Sequence, residues 1–422
     1  MMRRLLLIVL FGLVSQLVLA DDDFPEVKYR GLIDLRAIGT DTTTSWMDGG
    51  LGKLRYGGDN AGNGRTLGRL AEAALVITPR FNWDYTGRLV LKYDPEQKNT
   101  VDVLEGFLAY RPITTSAYRL KSRVGLFFPP VSLENDGIAW TSPYSITPSA
   151  INSWIGEEVR TLGGEFTLIK LAVDDRYSLT GAVYKANDPT GSLLAYRGWA
   201  MHDRKVSLND RVPLAPITPF QPGNAFEDQT PWVAPFEELD DRWGYYVAAD
   251  WKHLDMSELR VLYYDNRADP SVFDGGQYAW HTRFTSIGLK FELENRLDIL
   301  TQFITGNTLM GVVGNANPID NDFSAFYALV SKRLGAHRLT LRYDDFEVDD
   351  VDSKAPVLLV PYDLNDEKGD AWTFAYSYRI KRNQLVIMEA IRAASQRPAR
   401  VQISSESDIR EVLLQVSYRL FL

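Results

Sequence analysis

The chain of 422 residues has no cysteine, four histidines and, beyond its first twenty residues, no apolar run approaching the roughly 18 residues that a membrane helix needs. Lack of cysteine excludes a small disulfide-stapled fold and leaves stability to a large sheet or core. The histidines, His202, His253, His281 and His337, are scattered, and none stands in an HExxH or His-x-x-His spacing, so no transition-metal centre is expected. No GxSxG elbow occurs, and no serine and histidine pair in the manner of an outer-membrane lipase. The runs Gly50-Leu51-Gly52-Lys53 and Gly62-Asn63-Gly64 neither follow a strand nor open a helix, and read as loops rather than phosphate cradles. No catalytic residue, cofactor, metal or nucleic-acid partner is expected.

What is present begins with MMRRLLLIVLFGLVSQLVLA. Arg3 and Arg4 precede an apolar core from Leu5 to about Val14, and Val18-Leu19-Ala20 offers a small-residue cleavage site, the pattern of a secretory signal peptide over 1–20. Its removal takes away two arginines and moves the net charge from −9 to −11. No linker divides the remaining 21–422. Aromatics reach 12%, with 21 Tyr and 10 Trp.

The dominant signal is period-two alternation in segments of about ten residues. In FNWDYTGRLVLKYD, Phe81, Trp83, Tyr85, Leu89, Leu91 and Tyr93 share one face, and Asn82, Asp84, Thr86, Arg88, Lys92 and Asp94 the other. The same code predicts strands near 26–40, 67–79, 81–94, 101–112, 117–128, 158–171, 175–186, 241–252, 256–265, 281–293, 295–306, 322–334, 336–347, 369–381, 383–395 and 409–422. Strands 67–79 and 383–395 alternate poorly; in the first, Arg69 and Glu72 fall on opposite faces. SLLAYRGWAM (192–201) reads as a further strand whose pairing with one more would give eighteen. Short links alternate with long polar ones at 41–66, 128–157, 187–240, 307–321 and 348–368. Short turns on one side, long loops on the other and an even count describe an all-β, transmembrane antiparallel barrel of sixteen strands in a bacterial outer membrane.

Aromatic residues fall near strand ends, including Trp83, Tyr93, Tyr110, Trp243, Trp251, Tyr263, Trp372 and Tyr378, where membrane interfaces are expected. The final run LLQVSYRLFL turns Leu414, Val416, Tyr418, Leu420 and Leu422 to one face and resembles the closing strand of outer-membrane proteins, although it ends on Leu422 instead of an aromatic residue. YDDFEVDDVDS, with Asp344, Asp345, Glu347, Asp349, Asp350 and Asp352, reads as a solvated acidic loop, with a hard-cation site bridging lipopolysaccharide as the lesser alternative. If the apolar faces meet lipid, sixteen cations and nine carboxylates face inward, a net of +7 in an acidic protein. The cations include Arg88, Arg242, Arg338 and Arg342, and inward cations bias a pore towards anions. Arg119, Lys121 and Arg123 form a column on one strand, and three cations at this spacing repel one another unless something compensates.

That column leads into RVGLFFPPVSLEND, where Pro129 and Pro130 cannot continue a ladder. The segment Gly125-Leu126-Phe127-Phe128-Pro129-Pro130-Val131-Ser132-Leu133-Glu134 resembles the G-x-F-x-x-P-x-S/G-L-E motif of phosphate-selective porins of the O and P type and related general porins. The resemblance implies a sixteen-stranded homotrimer whose third long loop, here 128–157, folds into the lumen as a constriction. In that loop Thr147 would cap a short helix ended by Gly156, Trp140, Tyr144 and Trp154 would hold the loop to the wall, and Glu134 and Asp136 would face the cationic wall, giving a transverse field across the constriction. The expected function is passive diffusion of small ions and hydrophilic solutes, with a slight preference for anions such as phosphate, in contact with lipid and lipopolysaccharide. The rivals are a barrel enzyme or adhesin using a long extracellular loop at 187–240, and a soluble β-sandwich.

Overall fold

The structure, a computed structural model, describes residues 24–59, 62–254, 256–311, 318–351 and 364–422; the leader expected at 1–20 and Asp352 lie outside them. Sixteen strands close into one antiparallel barrel, each paired with its neighbours in sequence and the last with the first. They are β1 (Glu26–Thr40), β2 (Thr66–Arg80), β3 (Tyr85–Tyr93), β4 (Val101–Tyr110), β5 (Tyr118–Phe127), β6 (Thr161–Leu171), β7 (Asp175–Lys185) and β8 (Gly244–His253). There follow β9 (Ser257–Asp265), β10 (His281–Leu293), β11 (Leu297–Met310), β12 (Ile319–Leu334), β13 (His337–Asp350), β14 (Glu367–Lys381), β15 (Gln384–Gln396) and β16 (Asp408–Phe421). Closure runs to the end of the chain: Gly31 and Leu422 exchange backbone hydrogen bonds of 3.0 Å.

Alternation sets the two faces. On β13 the buried residues are Arg338, Thr340, Arg342, Asp344, Phe346, Val348 and Asp350, while Leu339 and Leu341 are exposed. Equivalent outward apolar residues recur round the wall, among them Tyr29, Phe166, Leu179, Phe303, Phe374 and Leu414. A closed sheet has no unpaired edge, so a barrel with such an apolar exterior crosses a membrane with every ladder group satisfied. The soluble sandwich is thereby excluded, and the outer membrane is where a barrel of this kind resides.

Several expectations change. SLLAYRGWAM is not a strand: 192–196 is a short helix ended by a turn at Arg197 and Gly198, so the barrel does not reach eighteen. The poor alternation of β2 has a physical cause. The register passes from Asp34↔Glu72 to Leu35↔Leu70, and the bulge at Ala71 turns both Arg69 and Glu72 inward. In β15 both faces are apolar, because Leu385 and Ile387 pack in the lumen against Ile146. The acidic run is also not a loop as far as Asp350; it is the upper end of β13, with Asp344 and Asp350 turned in and Asp345, Glu347 and Asp349 turned out.

The wall is uneven. Strands β3–β9 have 9–11 residues each. Strands β10–β16, β1 and β2 have 13–16. The two long segments 128–160 and 186–243 both leave from the short side, after β5 and β7.

Candidate functional site: a packed lumen above a cationic vestibule

Gly125 is where β5 departs from the wall. Its φ is +135°, and a Cβ there would lie 2.3 Å from the Gly106 carbonyl oxygen, so only glycine fits this bend. Leu126, Phe127 and Phe128 then all turn into buried positions, and Pro129 and Pro130 carry the chain into the lumen. Phe128 stacks on Trp140 with centroids 4.4 Å apart. Trp154 packs edge-on against Phe284 and Phe323 at 5.3 Å, and Tyr144 lies 4.9 Å beneath the Arg338 guanidinium. The helix in this loop, α1, spans Ala150–Glu158; Ser149 caps it in place of Thr147, and it passes through Gly156 to Glu158.

Glu134 turns towards the wall cation Arg342 on β13 and not towards the column on β5. It is fully buried and accepts from Ser149 N–H at 2.7 Å, Ser149 Oγ at 2.6 Å and Asn152 Nδ2 at 2.8 Å, bracing the start of α1. Arg342, also fully buried, stands 3.8 Å from Glu134, pairs with Asp344 at 2.7 Å, and donates to the carbonyls of Thr147 and Pro148 at 2.9 Å. Both residues fasten the loop to β13 and neither lines a free path. Arg338 pairs with Asp298 at 3.5 Å, and Arg88 with Glu105 at 3.4 Å. Asp136 is exposed, within electrostatic range of Lys290 and Arg338 on the tall side. Arg242 is not inward: it lies in the loop before β8 and pairs with Asp269 at 2.5 Å.

The column itself divides. Arg123 lies opposite Glu165 in the β5–β6 register, binds it through two contacts of 2.7 and 2.8 Å, and donates to the Phe128 carbonyl at 3.0 Å. Lys121 and Arg119, one and two steps lower, have no carboxylate partner among the described residues. Arg111 and Arg176 join Arg123 in the field around Lys121. These unpaired cations cluster on the short side, towards the end of the barrel with the short turns.

The segment 186–243 departs furthest from expectation. Residues 186–207 are all buried, inside the wall instead of above it. Glu158 accepts from Leu193 N–H at 3.0 Å and Gly191 N–H at 3.2 Å, holding the short helix α2, Ser192–Tyr196. Asp203 stands between Arg36 at 2.8 Å and Arg55 at 3.1 Å, Lys205 meets Glu72 at 2.6 Å, and Arg197 meets Glu157 at 2.6 Å. Lys53, from the first loop, donates to the carbonyls of Arg197 and Trp199 and pairs with Glu367. Burial pushes the Glu157 carboxyl up, but Arg197 and His202 outweigh it and hold it well below its ordinary value. Burial raises Glu158 and Asp188 to about 7. Glu72, Glu367, Glu389 and Glu411 are buried inward carboxylates absent from the expected set, and they bring the interior closer to neutrality than +7. Period-two counting would have found Glu389 had its strand shown one polar face.

The ring nitrogens of His202, His253, His281 and His337 meet Glu157, Asp175, Asp265 and Tyr376. No serine is among these partners. Asp188, Glu238 and Asp240 bring carboxylate oxygens within 4.8 Å of one another. They already clasp the loop, Asp188 accepting from the backbone of Leu239 and Asp240, and Glu238 from Ala186.

This architecture, a closed sixteen-stranded membrane barrel whose third loop packs inside it, is the porin fold. No family model matches the chain, and no curated protein matches it in sequence. Solved structures do match. The outer membrane channel DcaP of Acinetobacter baumannii has a TM-score of 0.57 at 10% identity, over 95% of this chain and 99% of that one. A loop-deletion mutant of the Vibrio cholerae outer membrane protein OmpT gives 0.51 at 10%, over 94% and 99%. Salmonella typhi OmpF, in complex with daunomycin, gives 0.50 at 11%, over 95% and 99%. The likeness extends across porin-type barrels at large and does not single out the phosphate-selective O and P type.

Proposed function

We propose that the protein is an outer-membrane diffusion channel for small hydrophilic solutes, with a slight preference for anions and no catalytic activity. The observation that carries this reading is a cationic cluster: Arg111, Arg119, Lys121 and Arg176 gather on one side of a membrane-spanning barrel with no carboxylate partner among the described residues. Unpaired cations at a pore mouth lower the cost of dehydrating an anion and raise its local concentration. The histidine environments fit a non-catalytic role, since no ring meets a serine hydroxyl among the described residues.

A homotrimer fits the same geometry. On the lipid-facing side of the short wall, Gly164 and Gly181 leave a dent rimmed by Tyr110, Phe166, Val183 and Tyr245. A convex neighbouring copy would fill it, with lipid and lipopolysaccharide covering the rest. Sedimentation of the detergent-solubilised protein tests the assembly, and a monomer would contradict it. The channel itself is tested by refolding the full chain into planar bilayers under a KCl gradient. Discrete conductance steps with a modestly anion-selective reversal potential are expected; no conductance from any form of the protein would overturn the reading.

A further inference from the structure

The chain from Arg197 to Arg211 runs through the lumen from the tall wall at β14 to the short wall at β4. At its start, the Trp199 N–H donates to Glu367 at 2.7 Å. Midway, Met201 forms a parallel bridge with Leu54 of the first loop, and its N–H donates to the Lys53 carbonyl at 2.7 Å. At its end, the Leu208 N–H donates to the Val103 carbonyl at 2.9 Å. Beside it lies α1, with Ser153 Oγ donating to the His202 carbonyl at 2.9 Å. One continuous apolar cluster joins this strap, the 128–160 loop and the wall on both sides, through Met201, Trp199, Trp154, Tyr246, Phe323 and Ile391. The gap between strap and loop is a cavity of about 10 Å³, room for roughly one water molecule.

Resting on the channel reading above, we propose that residues 197–211 are an autoinhibitory plug: the pore is shut in this conformation, and it opens when the strap lifts off the wall. Two features make lifting feasible. The strap leaves the short wall as part of one long connection, so displacing it breaks no barrel ladder. Beside the apolar packing, its polar hold is ionic, through Asp203 on Arg36 of β1 and on Arg55 of the first loop and through Lys205 on Glu72, and the two arginines have other partners when it leaves. Arg36 keeps Asp34 at 2.8 Å and Arg55 keeps Asp94 at 2.9 Å. A buried ion pair is a poor permanent fastening but a good register device, since its attraction is offset by desolvation.

The cysteine-free chain allows a direct test. In Leu54→Cys/Met201→Cys, oxidation should tie the strap to the first loop. Planar-bilayer recordings in KCl should then show conductance falling on the order of tenfold or more when oxidised and returning on reduction, a shift in open population readable as a ratio. A second variant, Asp203→Asn/Lys205→Met, weakens the hold without touching the wall and should raise the open fraction about tenfold. Equal conductance of the oxidised and reduced cysteine variant, or no rise in the charge variant, would overturn the plug and leave the channel standing. Silence in every variant would overturn the channel reading and the plug together.

Discussion

Strands β3–β9 are 9–11 residues long and β10–β2 are 13–16, and the two walls use their inward charges differently. On the tall wall, Arg342, Arg338 and Glu389 are engaged by the 128–160 loop, with Glu389 accepting from the backbone of Ile146 and Thr147. On the short wall, Arg119, Lys121, Arg111 and Arg176 are left without a carboxylate partner among the described residues. The difference follows from where chain is spent: the short side donates its length to the interior, and the tall side provides the surface on which that length docks. The tall wall is thus a fastening, whereas the short wall divides: Arg123, Arg260 and Lys92 also hold interior chain, and Arg119, Lys121, Arg111 and Arg176 form the solute face.

The sharpest way to break this contrast is to remove a fastening. Arg342→Ala leaves Asp344 and Glu134 buried without their cation, and such a loss costs about 3–5 kcal/mol. Thermal unfolding in detergent should show a lowered transition, with trypsin reaching 128–160 earlier. Arg119→Ala, on the solute face, should stay within about 0.5 kcal/mol of the parent protein. Equal losses at both positions would erase the distinction.

A smaller effect concerns pH. Docked Glu158 and Asp188 titrate at about 7, above their ordinary 4.5 and 3.8, because burial outweighs their hydrogen bonds. Neighbouring carboxylates add to this, Glu157 beside Glu158, and Glu238 and Asp240 beside Asp188; Arg197 opposes it at Glu158. The docked state therefore holds these protons more tightly than the free loop. Docking of 186–243 is favoured at low pH and loses that contribution as pH rises from about 4 to about 7. Proteolysis of the loop should be slower at pH 5 than at pH 8, and Glu158→Gln with Asp188→Asn should flatten the difference. An unchanged profile in the double variant would contradict this source of the effect.

Much of the wall was legible because lipid and lumen impose opposite chemistry on alternate residues. Legibility failed where one of those conditions failed. At Ala71 a bulge shifts the phase. At Leu385 and Ile387 the lumen is itself apolar, so alternation vanishes. The strap was illegible for another reason: Arg197, Asp203 and Lys205 look like a solvated loop, and their burial depends on partners distant in sequence, Glu157, Arg36 and Glu72. The split of the 119–123 column depended on register, since only Arg123 falls opposite a carboxylate. Glu134 and Arg342 both lie buried in the interior, 3.8 Å apart, and this mutual approach makes them fastenings.

The smallest expected effect, and the most direct test of the division between walls, is the reversal potential under a KCl gradient. Arg119→Ala/Lys121→Ala on the short wall should move it measurably towards cation selectivity without changing stability, whereas Arg338→Ala on the tall wall should move it less. A shift from Arg338→Ala as large as that from the double variant, or none from the double variant, would contradict the account.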